Sequence, residues 1–216
     1  MVREALIDTK VQCSEVDILG DVTVRLDHDP VSLEIAQEFE QKVWHDENYG
    51  SLSDYAGFIA NSRTFTAFQN EECVGIARLF SGVAELPPFL TEMPFYDEDQ
   101  RQKLMDFGRI GLLEEFGTIA VAKRMRKLFV FERLARLAYR DSYSRGIEYW
   151  GVIMEPERVE SMNKHYGFTF QKLGDTVFYQ GGDCAAHVMN LEEVYRNVQE
   201  TQPEIFEWFC KEPLQK

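Results

Sequence analysis

An apolar run, Phe116-Gly-Thr-Ile-Ala-Val-Ala122, leads directly into the basic segment Lys123-Arg-Met-Arg-Lys127. The apolar run predicts a β-strand, and the apolar spacing after it predicts a helix over residues 128 to about 145. The cations then fall in the first helical turn, where positive partial charge makes each of them unfavourable by ~0.3 to 1 kcal/mol. An anion bound there would offset this cost, because free N–H groups and basic side chains would act on it together. The junction therefore predicts a site for phosphate or carboxylate.

A second interpretation of the basic segment is a solvated patch beside Glu114, Glu115 and Glu132. The chain as a whole is acidic, with 37 acidic and 23 basic residues and a formal net charge of −14. Non-specific binding to nucleic acid or anionic membranes depends on cationic surface, so neither is expected as a partner. The basic segment therefore predicts a local anion.

Length and composition predict one domain covering residues 1–216, with a C-terminal helical extension at about 191–212. Hydrophobic residues make up 44% of the chain, which is enough for a full core. The four cysteines are scattered, no metal-ligand set accompanies them, and reduced thiols without a metal are expected. No apolar run approaches the roughly 20 residues of a membrane span, and no signal-peptide core is evident. A cytoplasmic protein is expected.

Periodicity predicts alternating strands and helices along the chain. The predicted strands cover residues 22–26, 64–68, 73–80, 116–122, 147–154, 168–173, 177–179 and 185–189. The predicted helices cover 33–44 with Ser32 as the N-cap, 52–60, a segment starting at 97–99, 128–145, 156–166 and a C-terminal pair. The strand–helix–strand run from 116 to 154 has the length of a parallel crossover. The proline- and aromatic-rich segment 86–96 suits a hydrophobic wall or a flap, and a flexible lid over the acyl chain is the favoured interpretation.

The strand, the basic turn and the later Tyr166-Gly-Phe168 resemble the GCN5-related N-acyltransferases, the GNAT superfamily, over roughly residues 22–189. The resemblance implies an α/β (α+β) fold. Its central sheet would be mixed and mostly antiparallel, with a splayed parallel strand pair and helices on both faces. It implies an acyl thioester as donor substrate, either acyl-coenzyme A or an acyl group on phosphopantetheine.

The basic turn departs from the usual pattern of the superfamily, because Arg126-Lys-Leu-Phe-Val-Phe131 contains no glycine. Cβ atoms at these positions block close backbone approach to a pyrophosphate, so coenzyme A is expected to bind poorly. A branch without those glycines is more similar: the acyl-carrier-protein-dependent N-acyl amino acid synthases, relatives of the autoinducer (acyl-homoserine lactone) synthases. That resemblance implies a donor on acidic acyl carrier protein. The expected phosphopantetheine-binding residues are Ala120, Ala122, Arg124, Arg126, Lys127 and Leu128.

Candidate catalytic residues follow from the same resemblance. Backbone N–H groups near Val121 would polarise the thioester carbonyl, as a strand bulge does in the superfamily. Glu115 would accept the amine proton if burial raises its pKa, or would instead pair with a buried arginine such as Arg78. Thr118 stands where the synthases carry the arginine of a Glu-x-x-Arg segment. Asn163 stands where many acetyltransferases carry a tyrosine acid, so the acid is unassigned.

Trp44, Arg78, Phe80, Phe89 and Phe95 are the expected substrate-binding residues, with the aromatic ones either lining an acyl tunnel or forming core. Three functions remain open on the sequence alone. The first is an N-acyltransferase that moves an acyl group, expected to be long, from acyl carrier protein to the amine of an amino acid or similar small amine. The second is an acetyl-coenzyme A-dependent N-acetyltransferase. The third is a catalytically silent binding module of the same fold.

Overall fold

The computed structural model describes residues 16–19, 21–83, 85–126 and 129–210 of the chain. The described strands form one sheet in the order β1-β2-β3-β4-β5-β6-β9-β7, and β8 pairs with β9 as a hairpin. These strands are β1 Val16–Leu19, β2 Val22–Leu26, β3 Arg63–Gln69, β4 Glu72–Ser81, β5 Leu113–Val121, β6 Tyr149–Met154, β7 Gln171–Lys172, β8 Val177–Tyr179 and β9 Gly182–Asn190. Every described pair is antiparallel except β5 with β6, which is parallel. This confirms the predicted mixed, mostly antiparallel sheet.

Helices cover both faces of the sheet, as predicted. They are α1 Pro30–Asp46, α2 Ala56–Ala60, α3 Pro88–Thr91, α4 Glu98–Arg109, α5 Val130–Ser144, α6 Pro156–Tyr166, α7 Leu191–Thr201 and α8 Pro203–Ile205. Helix α1 packs through Ala36 in a small core with Ile76 and Ala120. Helix α5 packs through Leu134 in the main core, which also holds Leu191 at the start of α7. The long crossover helix and the C-terminal helices therefore share one core.

The parallel pair β5–β6 splays apart halfway along its length. Its pairing runs from Leu113 opposite Tyr149 to Glu115 opposite Gly151 and ends there. Beyond that point β5 continues beside β4, and β6 continues beside β9. A wedge therefore opens at the centre of the sheet, immediately after Glu115.

Several predicted boundaries change in the structure. Helix α1 starts at Pro30, and Asp29 is its N-cap, accepting a hydrogen bond from the backbone N–H of Ser32, so the predicted Ser32 cap was wrong. Proline fits the first helical position because its missing N–H has no partner to lose there. Helix α6 ends as predicted, at Gly167 in the left-handed conformation with φ 69°.

The basic segment does not lie in the first turn of α5. Residues Lys123–Met125 form a separate 3-10 turn, and α5 begins only at Val130. Phe129 precedes the helix with φ 58°, a left-handed backbone that interrupts the path between the turn and the helix. The predicted conflict between the cations and the helix dipole was therefore wrong, because the described cations lie before the helix.

The segment expected to be a mobile lid instead packs into the molecule. Phe89 and Leu90 of α3 are fully buried, in a core shared with Leu113 of β5 and Leu173. Of the two interpretations of this segment, the structure favours a hydrophobic wall, packed on the β6 side of the sheet. Within the described residues, no helix has the length and apolar character needed to cross a membrane.

Candidate active site

Two adjacent glutamates of β5 point to opposite faces of the sheet and have different hydrogen-bond and ion-pair partners. Glu114 receives two hydrogen bonds from Arg145, at 2.7 and 2.8 Å, and one from Ser142 at 2.8 Å. Glu115, on the other face, is only 2% exposed and accepts a hydrogen bond from the backbone N–H of Phe89 at 2.9 Å. Glu114 is therefore neutralised by a cation, whereas the described ion pairs include none for Glu115.

Burial raises the pKa of Glu115 to about 8; the hydrogen bond from Phe89 opposes this shift, and the charge of Glu92 adds to it. A carboxyl group with such a pKa exchanges its proton near neutral pH, as a general base requires. The alternative expectation, a pair between Glu115 and Arg78, was wrong. Arg78 is held by a different carboxylate, that of Glu40.

Glu40 of α1 joins two of the predicted site residues in a buried network. Its Oε2 accepts a hydrogen bond from Nε of Arg78 at 2.9 Å, and its Oε1 accepts one from the hydroxyl of Thr118. A second nitrogen of Arg78 donates to the hydroxyl of Thr64 at 2.8 Å. Arg78 and Glu40 are both nearly inaccessible. Arg78 therefore ties α1 to the sheet, and its predicted contact with substrate was wrong. Thr118 completes that network from the edge of the site.

A cavity of about 120 Å³ occupies the wedge between β5 and β6, with Glu115 in its wall. Aromatic side chains from three parts of the chain surround it: Trp44, Tyr49, Tyr55, Phe116 and Tyr179. Thr118, Glu155 and Arg158 add polar groups. The volume is below the ~300 to 1,000 Å³ of sites for drug-sized ligands, so the cavity holds reacting groups more readily than a whole substrate.

Of the five predicted substrate-binding residues, the structure brings only Trp44 to this cavity. Phe80 and Phe89 are buried behind it, where their rings fill the space left by two glycines. A Cβ on Gly117 would lie 2.2 Å from the ring of Phe80, and one on Gly151 would lie 2.3 Å from the ring of Phe89. Phe95 lies elsewhere, beneath the guanidinium of Arg101. These phenylalanines are core, as the alternative interpretation had it.

A chain of hydrogen bonds leads from the cavity towards the surface, and the sequence did not predict it. The hydroxyls of Tyr55 and Tyr179 lie 2.7 Å apart, and Tyr179 donates to Glu92 at 2.8 Å. Burial raises the pKa of Tyr55 above its ordinary value, and the charge of Glu115 adds to this. Both hydroxyls therefore remain protonated near neutral pH. The two tyrosines are 124 positions apart, so no local pattern could have joined them.

One edge of β5 pairs with β4, and the other faces the wedge. Backbone N–H and C=O groups that point away from β4 lie on the wedge edge. Ala122 donates its N–H to Val74 of β4 at 3.0 Å. Successive residues of a strand direct their N–H and C=O groups to opposite edges. The backbone groups of Val121 therefore point towards the wedge. Its carbonyl accepts a hydrogen bond from Nε of Arg126 at 3.2 Å. A bulge, with Gly117 and Thr118 together opposite one residue of β4, lies nearer the cavity than Val121 does.

The described cations of the basic segment are paired with carboxylates. Lys123 and Arg126 both reach Glu47, at 3.3 and 2.8 Å, and Arg124 reaches Glu72 at 2.7 Å. These partners differ from the neighbours expected from the sequence. Ala120 of β5 is buried, and Ala122, the residue that follows β5, is half-buried. Lys127 and Leu128, two further predicted donor-binding residues, lie outside the described residues.

Asn163, at the position of the expected acid, performs a structural role. Its side-chain amide donates to the carbonyl of Phe170 at 2.9 Å and accepts from the N–H of Phe170 at 3.1 Å. The side-chain nitrogen and oxygen of Asn163 are therefore both hydrogen-bonded to the backbone of Phe170. The tyrosines that line the cavity are Tyr49, Tyr55 and Tyr179, and none of them belongs to α6.

Comparison with known proteins identifies the fold. No protein-family model matches the chain, and no curated protein matches it in sequence. Among solved structures, FeeM, an N-acyl amino acid synthase from uncultured soil microbes, matches with TM-score 0.63 and 16% identity, over 82% of this chain and 94% of that chain.

Two further structures agree with this match. The AHL synthase LasI matches with TM-score 0.55 and 13% identity, over 79% of this chain and 90% of that chain. An acetyltransferase of the GNAT family from Staphylococcus aureus Mu50 matches with TM-score 0.52 and 13% identity, over 79% and 99%. The chain therefore has the fold of the GCN5-related N-acyltransferases.

Proposed function

We propose that the protein is a single-domain N-acyltransferase that moves an acyl group from a thioester to the amine of a small acceptor. The observation that carries the proposal is Glu115, which is buried without a described cation at the point where β5 and β6 separate. A buried carboxyl group with a raised pKa destabilises the fold when it ionises, but it is suited to proton transfer near neutral pH. The likeness to N-acyl- and N-acetyltransferases supports the same reaction class.

The reaction needs one proton acceptor and one oxyanion donor. Glu115 removes a proton from the ammonium form of the acceptor, and the free amine attacks the thioester carbonyl carbon. Backbone N–H groups at the Gly117–Thr118 bulge or at Val121 donate to the carbonyl oxygen as it becomes negative, a contribution of about 2.7 to 4 kcal/mol. The attack forms the C–N bond, and collapse of the tetrahedral intermediate breaks the C–S bond and releases the thiolate. The nitrogen loses its second proton as the amide forms, and the thiolate takes up one proton. The hydroxyl of Tyr55, which lines the same cavity, is the proposed relay between them.

The proposed donor is acyl-phosphopantetheine on acyl carrier protein. Glu47 lies against both Lys123 and Arg126, and its charge disfavours a second or third phosphate at that place. Coenzyme A brings a pyrophosphate and a further phosphate, whereas the carrier-bound arm brings one. The same surface contains Arg124, which is 53% exposed in its side chain and available to an acidic partner. The match to FeeM and LasI agrees with this choice of branch.

A second candidate is acetyl transfer from coenzyme A, and the small cavity favours it. About 120 Å³ at the wedge suits an acetyl group better than a long chain. The two candidates separate in one experiment, in which purified protein and an amine panel receive either acylated carrier protein or acyl-coenzyme A of matched chain length. The first candidate predicts thiol release at least tenfold faster from the carrier protein. Faster release from acetyl-coenzyme A would establish the second.

A binding module without turnover is the remaining alternative. It predicts retention of carrier protein with no thiol released from either donor. The double variant Arg124→Ala with Arg126→Ala tests whether the basic segment binds the carrier protein in either case. If it does, the affinity of the variant for carrier protein falls and depends less on salt. If it does not, the affinity and its salt dependence stay unchanged.

A further inference from the structure

We propose that the excess proton of each turnover leaves the active site through Tyr55, Tyr179 and Glu92, which form a proton exit path. This inference rests on the proposed N-acyltransferase function and deepens it by naming the residues that return Glu115 to its ionised form. An ammonium acceptor and a thioester give an amide, a thiol and one proton. Glu115 holds that proton when the products form, and it must lose it before it can accept another.

The direction of the hydrogen bonds in the path follows from the carboxylate at its outer end. A carboxylate only accepts, so the hydroxyl of Tyr179 donates to Oε2 of Glu92, at 2.8 Å. Tyr179 has a single hydroxyl proton, and the 2.7 Å hydrogen bond between the two tyrosines is therefore donated by Tyr55. In this arrangement Tyr55 presents its oxygen to the cavity as an acceptor.

A proton that arrives at the oxygen of Tyr55 can therefore move outward in two short transfers. Tyr55 passes its own proton to the oxygen of Tyr179, and Tyr179 passes its own to Glu92, from which water removes it. Each transfer breaks one O–H bond and forms another, and no charge remains on either tyrosine. Rotation about the C–O bond of Tyr55 separates this outward step from the transfer of a proton to the thiolate.

The path runs from the buried wedge to solvent. Tyr55 is 5% exposed, Tyr179 is half-buried, and Glu92 is exposed. Glu92 is the C-cap residue of α3, and the same short helix donates the backbone N–H of Phe89 to Glu115. One turn of chain therefore contacts both the carboxyl group that loses the proton and the outer end of the path.

The inner end of the path is the cavity itself. Glu115 and Tyr55 both line it, and its volume of about 120 Å³ gives room for water between the carboxyl group and the hydroxyl. Burial raises the pKa of Tyr55, and the negative charges of Glu115 and Glu92 add to this. Asp54 adds a third negative charge. These charges stabilise a proton as it passes. Direct loss to solvent through the mouth of the cavity is the alternative.

The chain provides a matched control for the path. Tyr143 donates to Glu192 at 2.7 Å, which is a tyrosine–glutamate hydrogen bond of the same kind. Neither of these two residues lines the wedge cavity. Tyr143→Phe therefore removes the same type of hydrogen bond as Tyr179→Phe and leaves the path intact.

The test follows thiol release at about pH 7 and saturating donor in the wild-type protein, Tyr179→Phe, Glu92→Gln and Tyr143→Phe. Glutamine keeps an acceptor for the hydroxyl of Tyr179 but cannot take up a proton. In both path variants kcat should fall by at least about tenfold, because release of the proton becomes rate-limiting. The first turnover, measured by rapid mixing, should keep its wild-type rate and appear as a burst. The value of kcat/KM for the acceptor should not fall, because it reports the steps up to thiol release. Tyr143→Phe should match the wild type throughout.

A small proton acceptor in solution should replace the missing path. Imidazole at constant ionic strength should raise kcat of both path variants towards the wild-type value and change that of the wild type by less than about twofold. A structural defect would not respond to imidazole. The inference is overturned if kcat of both path variants stays within about twofold of the wild type, or if kcat and kcat/KM fall equally. Those results would leave the acyltransferase function intact. Absence of thiol release by the wild-type protein with every donor and acceptor would reject that function and the exit path with it.

Discussion

Replacing Glu115 by Gln should lower activity sharply and, at high pH, stabilise the protein. Glutamine keeps the shape of the side chain and its acceptor for the N–H of Phe89, but cannot take up a proton. Loss of a general base reduces kcat by about 10²- to 10⁴-fold. With a pKa of about 8, the wild-type carboxyl is ionised in only about one-tenth of molecules at pH 7 and in about nine-tenths at pH 9.

The pH profile of kcat/KM follows from this ionisation, because kcat/KM reports the groups of the protein without substrate. With acceptor well below saturation, kcat/KM of the wild-type protein should rise through an apparent pKa near 8 and then level off. The residual activity of Glu115→Gln should lack that rise. Glu114→Gln is the matched control, because it removes the adjacent buried carboxylate on the other face of β5. It should lower stability, since Arg145 loses one of its two carboxylate partners and keeps only Asp141, but leave the shape of the pH profile unchanged.

The stability effect has a definite sign. The folded pKa of about 8 lies above the ordinary value of 4.5, so between these pH values the folded state binds more protons than the unfolded state. Stability conferred by the protonated group is complete below pH 4.5 and is lost as pH rises towards 8, by at most ~1.4 kcal/mol per pH unit. Urea unfolding of both proteins from pH 5 to 9 measures this difference. If Glu115→Gln keeps wild-type kcat, or if its stability follows the wild-type pH dependence, the role given to Glu115 is refuted.

Three further changes have defined outcomes. Gly151→Ala should lower the free energy of unfolding, measured in urea, by about 1 to 3 kcal/mol, because the new Cβ would clash with the ring of Phe89. Gly182→Ala is the control, since no atom lies nearer than 3.6 Å to the position of its Cβ. Thr118→Val should cost about 1 to 3 kcal/mol by leaving the buried glutamate of α1 one donor short, and an unchanged midpoint would contradict that. Arg126→Ala should weaken carrier-protein binding and reduce its salt dependence; titrations at low and high salt that match the wild type would refute the contact.

The fold was predictable because its signals are local. Alternating apolar residues predicted β2, and a glycine placed after a helical pattern predicted the end of α6. The order of strand, helix and strand predicted the parallel pair β5–β6. Each of these features depends on neighbouring residues, whose spacing is visible in the sequence.

The site was only partly predictable because its partners come from distant segments. Glu115 was found from its place on a central strand, but its hydrogen-bond partner Phe89 comes from a segment expected to move. Arg78 was expected near the substrate, yet it pairs with Glu40 of α1. The packing of α1 against the sheet determines that contact. Arg158 carries no pattern of its own, since an arginine on a helix is usually a solvated residue. Only the three-dimensional course of the chain brings it to the wedge.

The most direct test is mass spectrometry of the product formed from an acylated carrier protein and a ¹⁵N-labelled amino acid. The wild-type protein should form an N-acyl amino acid that retains the label and a free carrier thiol in equal amount, and Glu115→Gln should form both at least about 10²-fold more slowly. The same experiment identifies the acyl length from the product mass. A wild-type protein that binds the carrier yet forms no amide with any acceptor, from either carrier protein or coenzyme A, would reject the N-acyltransferase function.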